Sequence, residues 1–237
     1  MSRHSITMCI VVLAVAFVVL VHVDARAWTR DVSEGVGTLE QAINDANGTP
    51  DPDTLILTGN EYTADGAPCV ITYPLTIMAA GVTMDPGPIT ITKTTVGGPV
   101  FRCNIVLGGT LTILGRSAAE PIRLINNAGS TPVITSGNTS TLGALTLDHV
   151  ELDKGSYTGQ WIVWNNAPTG MITPTNTLTN VKFKGGSASN LSSAVVELGG
   201  SGNRLVWNLV NCDFSQANAI ARIYHQNVNL TAQSCKI

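Results

Sequence analysis

Late in the chain, one alternation of apolar and polar positions is written four times. The copies are Leu147-Asp148-His149-Val150-Glu151-Leu152, Leu178-Thr179-Asn180-Val181-Lys182-Phe183, Leu209-Val210-Asn211-Cys212-Asp213-Phe214 and Ala232-Gln233-Ser234-Cys235-Lys236-Ile237. The first three lie 31 residues apart and the fourth follows after 23. A unit this short cannot bury its own apolar face, so its recurrence predicts rungs that stack on a shared core. Strand side chains alternate between two faces. The inward columns therefore read Leu147, Leu178, Leu209, Ala232, then Val150, Val181, Cys212, Cys235, then Leu152, Phe183, Phe214, Ile237. The turn column, His149, Asn180, Asn211 and Ser234, suits a tight corner, because Asn tolerates a left-handed backbone and its amide can reach the next rung. The outward column, Glu151, Lys182, Asp213 and Lys236, alternates in sign, which predicts a ladder of cross-strand ion pairs.

Upstream, short period-two runs at residues 54–58, 75–77, 82–84, 89–91, 100–103, 111–113, 122–124 and 133–134 are bounded by Gly, Pro and Asn and read as strands. One helix is predicted, over residues 38–47. Leu39, Ala42, Ile43 and Ala46 share a face at helical spacing. Thr38 is placed as its N-cap, with Gln41 completing a capping box. Asn47-Gly48 ends it, and Pro50 and Pro52 forbid its continuation.

The first 27 residues stand apart. Arg3 and His4 are followed by an apolar run over residues 9–23, too short to span a bilayer comfortably, and by the small-x-small sequence Ala25-Arg26-Ala27. That is the grammar of a secretory signal cleaved after Ala27. The organisation expected is a signal peptide at 1–27, an N-terminal segment with the capping helix at 28–53, and a repeat domain at 54–237. Because Ile237 closes an inward position with no polar cap after it, further chain or a partner is expected to cover that end.

Removing Arg3, Arg26 and Asp24 leaves 11 basic and 15 acidic residues. This balance offers no basic footprint for nucleic acid. Only 12% of residues are charged, so the chain is too apolar for disorder and suits strands joined by tight turns. Four cysteines remain after the signal: Cys69, Cys103, Cys212 and Cys235. Export permits disulfides, with three possible pairings, while buried free thiols are the alternative. Cys212 and Cys235 share one inward column on adjacent rungs, and Cys69 and Cys103 are a second candidate pair related in the same way.

The run Thr38-Leu39-Glu40-Gln41-Ala42-Ile43-Asn44-Asp45-Ala46-Asn47, then Asp53-Thr54-Leu55-Ile56-Leu57 and Gly59-Asn60-Glu61-Tyr62-Thr63, resembles the entry to right-handed parallel β-helices of the pectin-lyase-like class. Asn211-Cys212-Asp213-Phe214 with Asn218-Ala219 resembles the repeats of polymorphic outer-membrane and adhesin-like β-helices. The resemblance implies an all-β solenoid with a short N-terminal capping helix. It does not imply a function, because folds host many.

Enzymes of this fold that cleave polysaccharides need a carboxylate pair, or a calcium cluster with a base. The chain has no Asp-Asp and no Gly-His-Gly. Asp148, Asp153 and Arg222, the last within Arg222-Ile223-Tyr224-His225, are the residual catalytic candidates. A calcium site at Asp51-Pro52-Asp53 competes with a solvated turn, and two histidines after the signal do not support a multi-histidine metal site. Trp161 and Trp164, with Tyr157 and Asn165-Asn166, are candidates for a sugar-binding platform, against packing beneath a loop. Glycosylation sequons begin at Asn47, Asn138, Asn190 and Asn229. Threonines recur on outward positions, but their spacing along the chain is too irregular for an ice-binding array. The leading expectation is an exported, non-catalytic β-helix, structural, adhesin-like or carbohydrate-binding, whose partner is an extracellular polysaccharide or cell-surface component. A polysaccharide lyase or glycoside hydrolase is the alternative.

Overall fold

The computed structural model describes residues 27–64, 68–81, 87–95, 97–105, 109–136, 143–155, 157, 159–164, 175–185, 196–198, 205–216, 221–223 and 228–237. The chain enters through β1 (Thr29–Val32), β2 (Gly35–Val36) and α1 (Thr38–Ala46). Five coils then follow, each laying one strand on each of three sheets. The first is β3 (Asp53–Leu57), β4 (Glu61–Thr63) and β5 (Cys69–Ile71), and the second β6 (Leu75–Ala79), β7 (Ile89–Lys93) and β8 (Phe101–Cys103). The third is β9 (Thr110–Leu114), β10 (Ile122–Asn126) and β11 (Ile134–Ser136), and the fourth β12 (Ala144–Asp148), β13 (Val150–Asp153) and β14 (Ile162–Trp164). Then come β15 (Thr175–Thr179), β16 (Lys182–Lys184) and β17 (Val196–Leu198), followed by β18 (Leu205–Val210), β19 (Ala221–Ile223) and β20 (Val228–Gln233).

Sheet 1 runs β1-β3-β6-β9-β12-β15-β18-β20, sheet 2 runs β16-β13-β10-β7-β4-β2, and sheet 3 runs β19-β17-β14-β11-β8-β5. Neighbours such as β3 and β6, β10 and β13, and β11 and β14 are parallel. From β3 to β15 each strand pairs with the one three places on, which is the wiring of a right-handed parallel β-helix.

The core is the stack of inward columns the alternation foretells. In sheet 1, β3, β6 and β9 present Leu55, Ile77 and Ile113 in register, all fully buried. Leu147 and Leu178 continue the column, also fully buried. Burying each such side chain contributes about 1.5–3 kcal/mol, so the column, more than any one contact, holds the coil. Among the repeat copies, Val150, Val181 and Cys212 are 1% exposed, whereas Ala232 and Ile237 of the fourth copy are exposed.

Helix α1 covers the entry end with the predicted face: Leu39, Ala42, Ile43 and Ala46 are buried. Its start differs from the expectation. Gly37, in a left-handed conformation, is the N-cap and no side chain caps the helix. Thr38 lies inside the first turn, where its hydroxyl donates to the Gly35 carbonyl, and Gln41 donates to Asp45. Asn47 ends the helix and anchors it to the first coil, donating to the Val70 carbonyl at 2.6 Å and accepting from the Thr72 amide at 2.8 Å. The amide of this sequon is therefore occupied. The signal segment, residues 82–84 and the sequons at Asn138 and Asn190 fall outside the described residues, and no described helix is long and apolar enough to cross a membrane.

Candidate functional site

The corner between sheets 1 and 2 is the most organised surface of the molecule. His149, Asn180, Asn211 and Ser234 adopt φ of 51°, 53°, 53° and 55°, the left-handed geometry expected of the turn column. One residue in this conformation turns the chain from sheet 1 into sheet 2, and repeating it keeps the rungs in register. The carboxamides form a hydrogen-bonded row. Asn211 donates to Asn180 Oδ1 at 2.7 Å, and Asn180 donates to Asp148 Oδ1 at 2.9 Å. His149 Nδ1 lies 2.9 Å from the same Asp148 oxygen.

Beside this row runs the charged column. Its register is Arg123 to Glu151 to Lys182, with bridges from Lys182 to Asp213 and from Asp213 to Lys236. The order is as the sequence implied, but the contacts differ. Glu151 pairs not with Lys182 but with Arg123 Nε at 3.2 Å and, diagonally, Lys184 Nζ at 2.8 Å. Its side chain is 7% exposed, so two cations converge on a buried carboxylate. Asp213 accepts from the Ser215 hydroxyl at 2.6 Å and amide at 3.0 Å, and Lys236 lies at 3.6 Å. These Ser215 hydrogen bonds, aided by Lys236 and Lys182, hold the Asp213 carboxyl below the usual carboxylate range. Lys182 is exposed and has no ion pair within 4.0 Å among the described residues.

Row and column together border a groove of about 240 Å³. It is lined by His149, Asn180, Asn211, Glu151, Lys182 and Asp213, together with Val150 and Val181, whose side chains turn into the core at 1% exposure. It follows the helix axis across three rungs, roughly 10 Å at the spacing of parallel strands. At its upstream end the single-residue corner is replaced by residues 115–121, which contribute Ala118 and Pro121. Arg116 ties that excursion down through Glu120 at 2.6 Å and the Ala80 carbonyl at 2.6 Å.

The predicted site residues separate. Asp148 joins the groove's hydrogen-bonded row. Asp153 instead accepts from the Gly155 amide at 2.7 Å, forming a turn on the same coil. Arg222 sits in β19 opposite Glu197, its side chain outside the described set, as are Tyr224 and His225. The platform reading of Trp161 and Trp164 is corrected, because their rings are 2% and 0% exposed. Trp161 packs edge-on against Phe183 and donates to the Lys184 carbonyl, while Trp164 packs edge-on against Trp207. Neither ring offers a face to a ligand.

Asp53 is buried, accepting from the Trp28 amide at 3.0 Å and the Thr49 hydroxyl at 3.2 Å, so it fastens β1 to the coil instead of facing a solvated turn. Among the described residues no group of three His, Cys, Asp or Glu side chains is placed to hold a metal. Among the described residues Cys69, Cys103, Cys212 and Cys235 stand as unbridged thiols. Cys69 and Cys103 do not stack: Cys69 faces Phe101 and Cys103 faces Ile71, an offset of two residues.

One outward feature was hidden by coil length. Thr29, Thr54, Thr76, Thr112, Thr146, Thr177, Asn208 and Thr231 form one in-register column along sheet 1. The sequence spacing is irregular only because the intervening loops differ in length. The adjacent outward column mixes Ile56, Met78, Leu114, Asp148, Thr179, Val210 and Gln233, so the face carries a single threonine ladder and not a two-dimensional array.

Among the further buried polar residues, two tie down one loop. Asn126, fully buried, donates to the Pro132 carbonyl at 2.9 Å and accepts from the Ala128 amide at 3.0 Å. Lys154, also fully buried, donates to the carbonyls of Gly129 and Thr131, and desolvation pushes its ammonium down to about 8. Both close the loop at residues 127–132 onto the coil.

Among solved structures, the PL6 family alginate lyase AlyGC aligns with a TM-score of 0.44 and 13% sequence identity over 90% of this chain. The chain spans 40% of that lyase's length. No protein-family profile matches the chain, and no curated protein does. At that identity and TM-score no residue role transfers to this chain, and its chemistry rests on its own side chains.

Proposed function

We propose that this is an exported, non-catalytic parallel β-helix that binds carbohydrate in the groove along the corner between sheets 1 and 2. The observation that carries the reading is how the groove's polar groups are employed. Its carboxylates are engaged: Glu151 by Arg123 and Lys184, Asp213 by Ser215 and Lys236, and Asp148 by Asn180 and His149. Acid–base cleavage of a glycosidic bond calls for two carboxyl groups flanking it, one of them holding a proton to donate, whereas Glu151 and Asp213 here are held as carboxylates by cations and hydrogen-bond donors. What the groove presents is a recognition set of the His149 imidazole, the Asn180 and Asn211 carboxamides and the Lys182 ammonium, spread over three successive rungs. Such a set of donors and acceptors suits the hydroxyls of a saccharide. An adhesin-like setting at the cell surface is the finer form of this proposal.

Screening the purified protein against an oligosaccharide library, followed by calorimetry on the hits, tests it. Binding is expected to weaken at least tenfold in Asn180→Ala and in Lys182→Ala, with no new reducing or unsaturated ends. Affinity unchanged by both substitutions would remove the groove from the function.

The Asp148–His149 contact favours a second reading, a polysaccharide lyase or hydrolase. An acceptor oxygen that orients an imidazole beside a groove is a known way to prepare a base. Release of sugar fragments that His149→Gln abolishes would establish this reading in place of the first.

A further inference from the structure

The register singles out one covalent cross-link among the six that Cys69, Cys103, Cys212 and Cys235 allow. We propose that Cys212 and Cys235 form a disulfide that pins β20 and the corner at Ser234 to the preceding coil. The bridge between Asp213 and Lys236 places Cys212 and Cys235 directly beside each other on adjacent rungs. Each immediately follows a left-handed corner residue, Asn211 or Ser234, so both side chains turn inward at the same height. Neighbouring parallel strands are about 4.8 Å apart, within the Cα separation of roughly 4.4–6.8 Å that a disulfide spans.

The thiols are also oriented consistently along the stack. Cys212 Sγ donates to the Leu178 carbonyl at 3.4 Å, and Cys235 Sγ donates to the Leu209 carbonyl at 3.7 Å. Burial pushes the Cys212 thiol up to about 12, and the neighbouring Cys235 adds to that rise. Cys235 is only partly buried and Cys212 is buried, so exchange can begin at Cys235 and pass to the thiol beside it.

The remaining pairings fail on distance. Cys69 and Cys103 sit on adjacent strands offset by two residues, which puts their Cα atoms about 8 Å apart, beyond the roughly 7 Å limit. They lie on sheet 3 in the first two coils, several rungs from Cys212 and Cys235, so no mixed pairing can close.

The step balances with a low-molecular-weight disulfide as oxidant. The Cys235 thiolate attacks it and releases one thiol. The Cys212 thiolate then attacks the mixed disulfide and releases the second. Two protein thiols are oxidised and one external disulfide is reduced to two thiols, each taking one of the protons the protein gives up. The closed loop, residues 212–235, holds the last described strand of sheet 1, whose Asn229, Leu230, Thr231 and Ala232 are exposed.

The test equilibrates the full chain in a buffer of oxidised and reduced glutathione, alkylates it in denaturant and maps peptides without reduction. Most molecules are expected to yield one Cys212–Cys235 linked peptide, with Cys69 and Cys103 alkylated. Hydrogen exchange in residues 229–234 should slow by roughly tenfold or more on oxidation, and Cys235→Ser should lose that response. Four alkylated cysteines, a persistent glutathione adduct at Cys235, a linkage that includes Cys69 or Cys103, or exchange unchanged by oxidation would each overturn the proposal.

Discussion

Reversing the charge of Glu151 is the sharpest test of the ladder. Its carboxylate is 7% exposed and lies 3.2 Å from Arg123 and 2.8 Å from Lys184. Removing one partner of a fully buried ion pair costs about 3–5 kcal/mol. Here the cations are 38% and 27% exposed and can regain water, so Glu151→Gln, which keeps an acceptor oxygen, is expected to cost about 1–2 kcal/mol. Glu151→Lys buries an ammonium beside Arg123 and Lys184 and in register with Lys182, and the expected cost rises to about 3–4 kcal/mol. For a chain of this size that lowers Tm by roughly 6–15 °C. Urea denaturation of wild type and both variants, with thermal scans alongside, reads the difference. Lys236→Ala is the control, since its pair with Asp213 is long and its side chain 70% exposed, and it should change stability by about 0.5 kcal/mol or less. A Glu151→Lys protein within about 0.5 kcal/mol of wild type would refute the reasoning, because Glu151 would then behave as an ordinary surface residue.

Three more outcomes follow from the packing. Burial holds the Lys154 ammonium at about 8 against an ordinary 10.5, so between those values the unfolded chain carries the extra proton. The contribution of Lys154 to stability therefore rises with pH across that window and is lowest below it. The stability difference between wild type and Lys154→Met should shift by up to about 3 kcal/mol from neutral pH to pH 10.5, and parallel pH profiles would contradict this. Gly115→Ala should destabilise by at least about 2 kcal/mol in urea denaturation, because an added Cβ would sit 2.1 Å from the His149 carbonyl oxygen and 2.9 Å from the Ile122 amide nitrogen. Trp164→Ala should cost about 3–5 kcal/mol by the same assay, since its ring is fully buried against Trp207, and saccharide affinity of the folded fraction should be unchanged.

The four-copy alternation made the late coils legible because it combined two constraints in one place. Period two assigned inward and outward faces, and the recurring Asn marked a backbone conformation few residues tolerate. Where either constraint was missing, the reading weakened. The corner before β10 is an excursion over residues 115–121, with no Asn to mark it, and this excursion closes one end of the groove. The threonine column was invisible for a related reason, since register is a property of strands and chain spacing includes loops of unequal length.

Glu151 was placed correctly in its column, yet its partners were misjudged. A column fixes which backbone positions are adjacent, while a long side chain chooses between the direct neighbour and the diagonal one, here Lys184. For Trp161 and Trp164 the sequence leaves a platform and packing both open, and packing is what the structure shows: Trp161-Ile162-Val163-Trp164 does not alternate, and all four are buried. At the helix, the capping box failed because Gly37 supplies the left-handed entry before Thr38.

Saccharide binding to the corner groove, measured for wild type, Asn180→Ala and Lys182→Ala by calorimetry with the best library ligand, bears most directly on what this protein does. Wild type is expected to bind without consuming the ligand, and each variant to keep its fold while losing at least tenfold in affinity. Equal affinity in all three proteins would contradict the assignment of the groove, and turnover of the ligand would contradict the non-catalytic role.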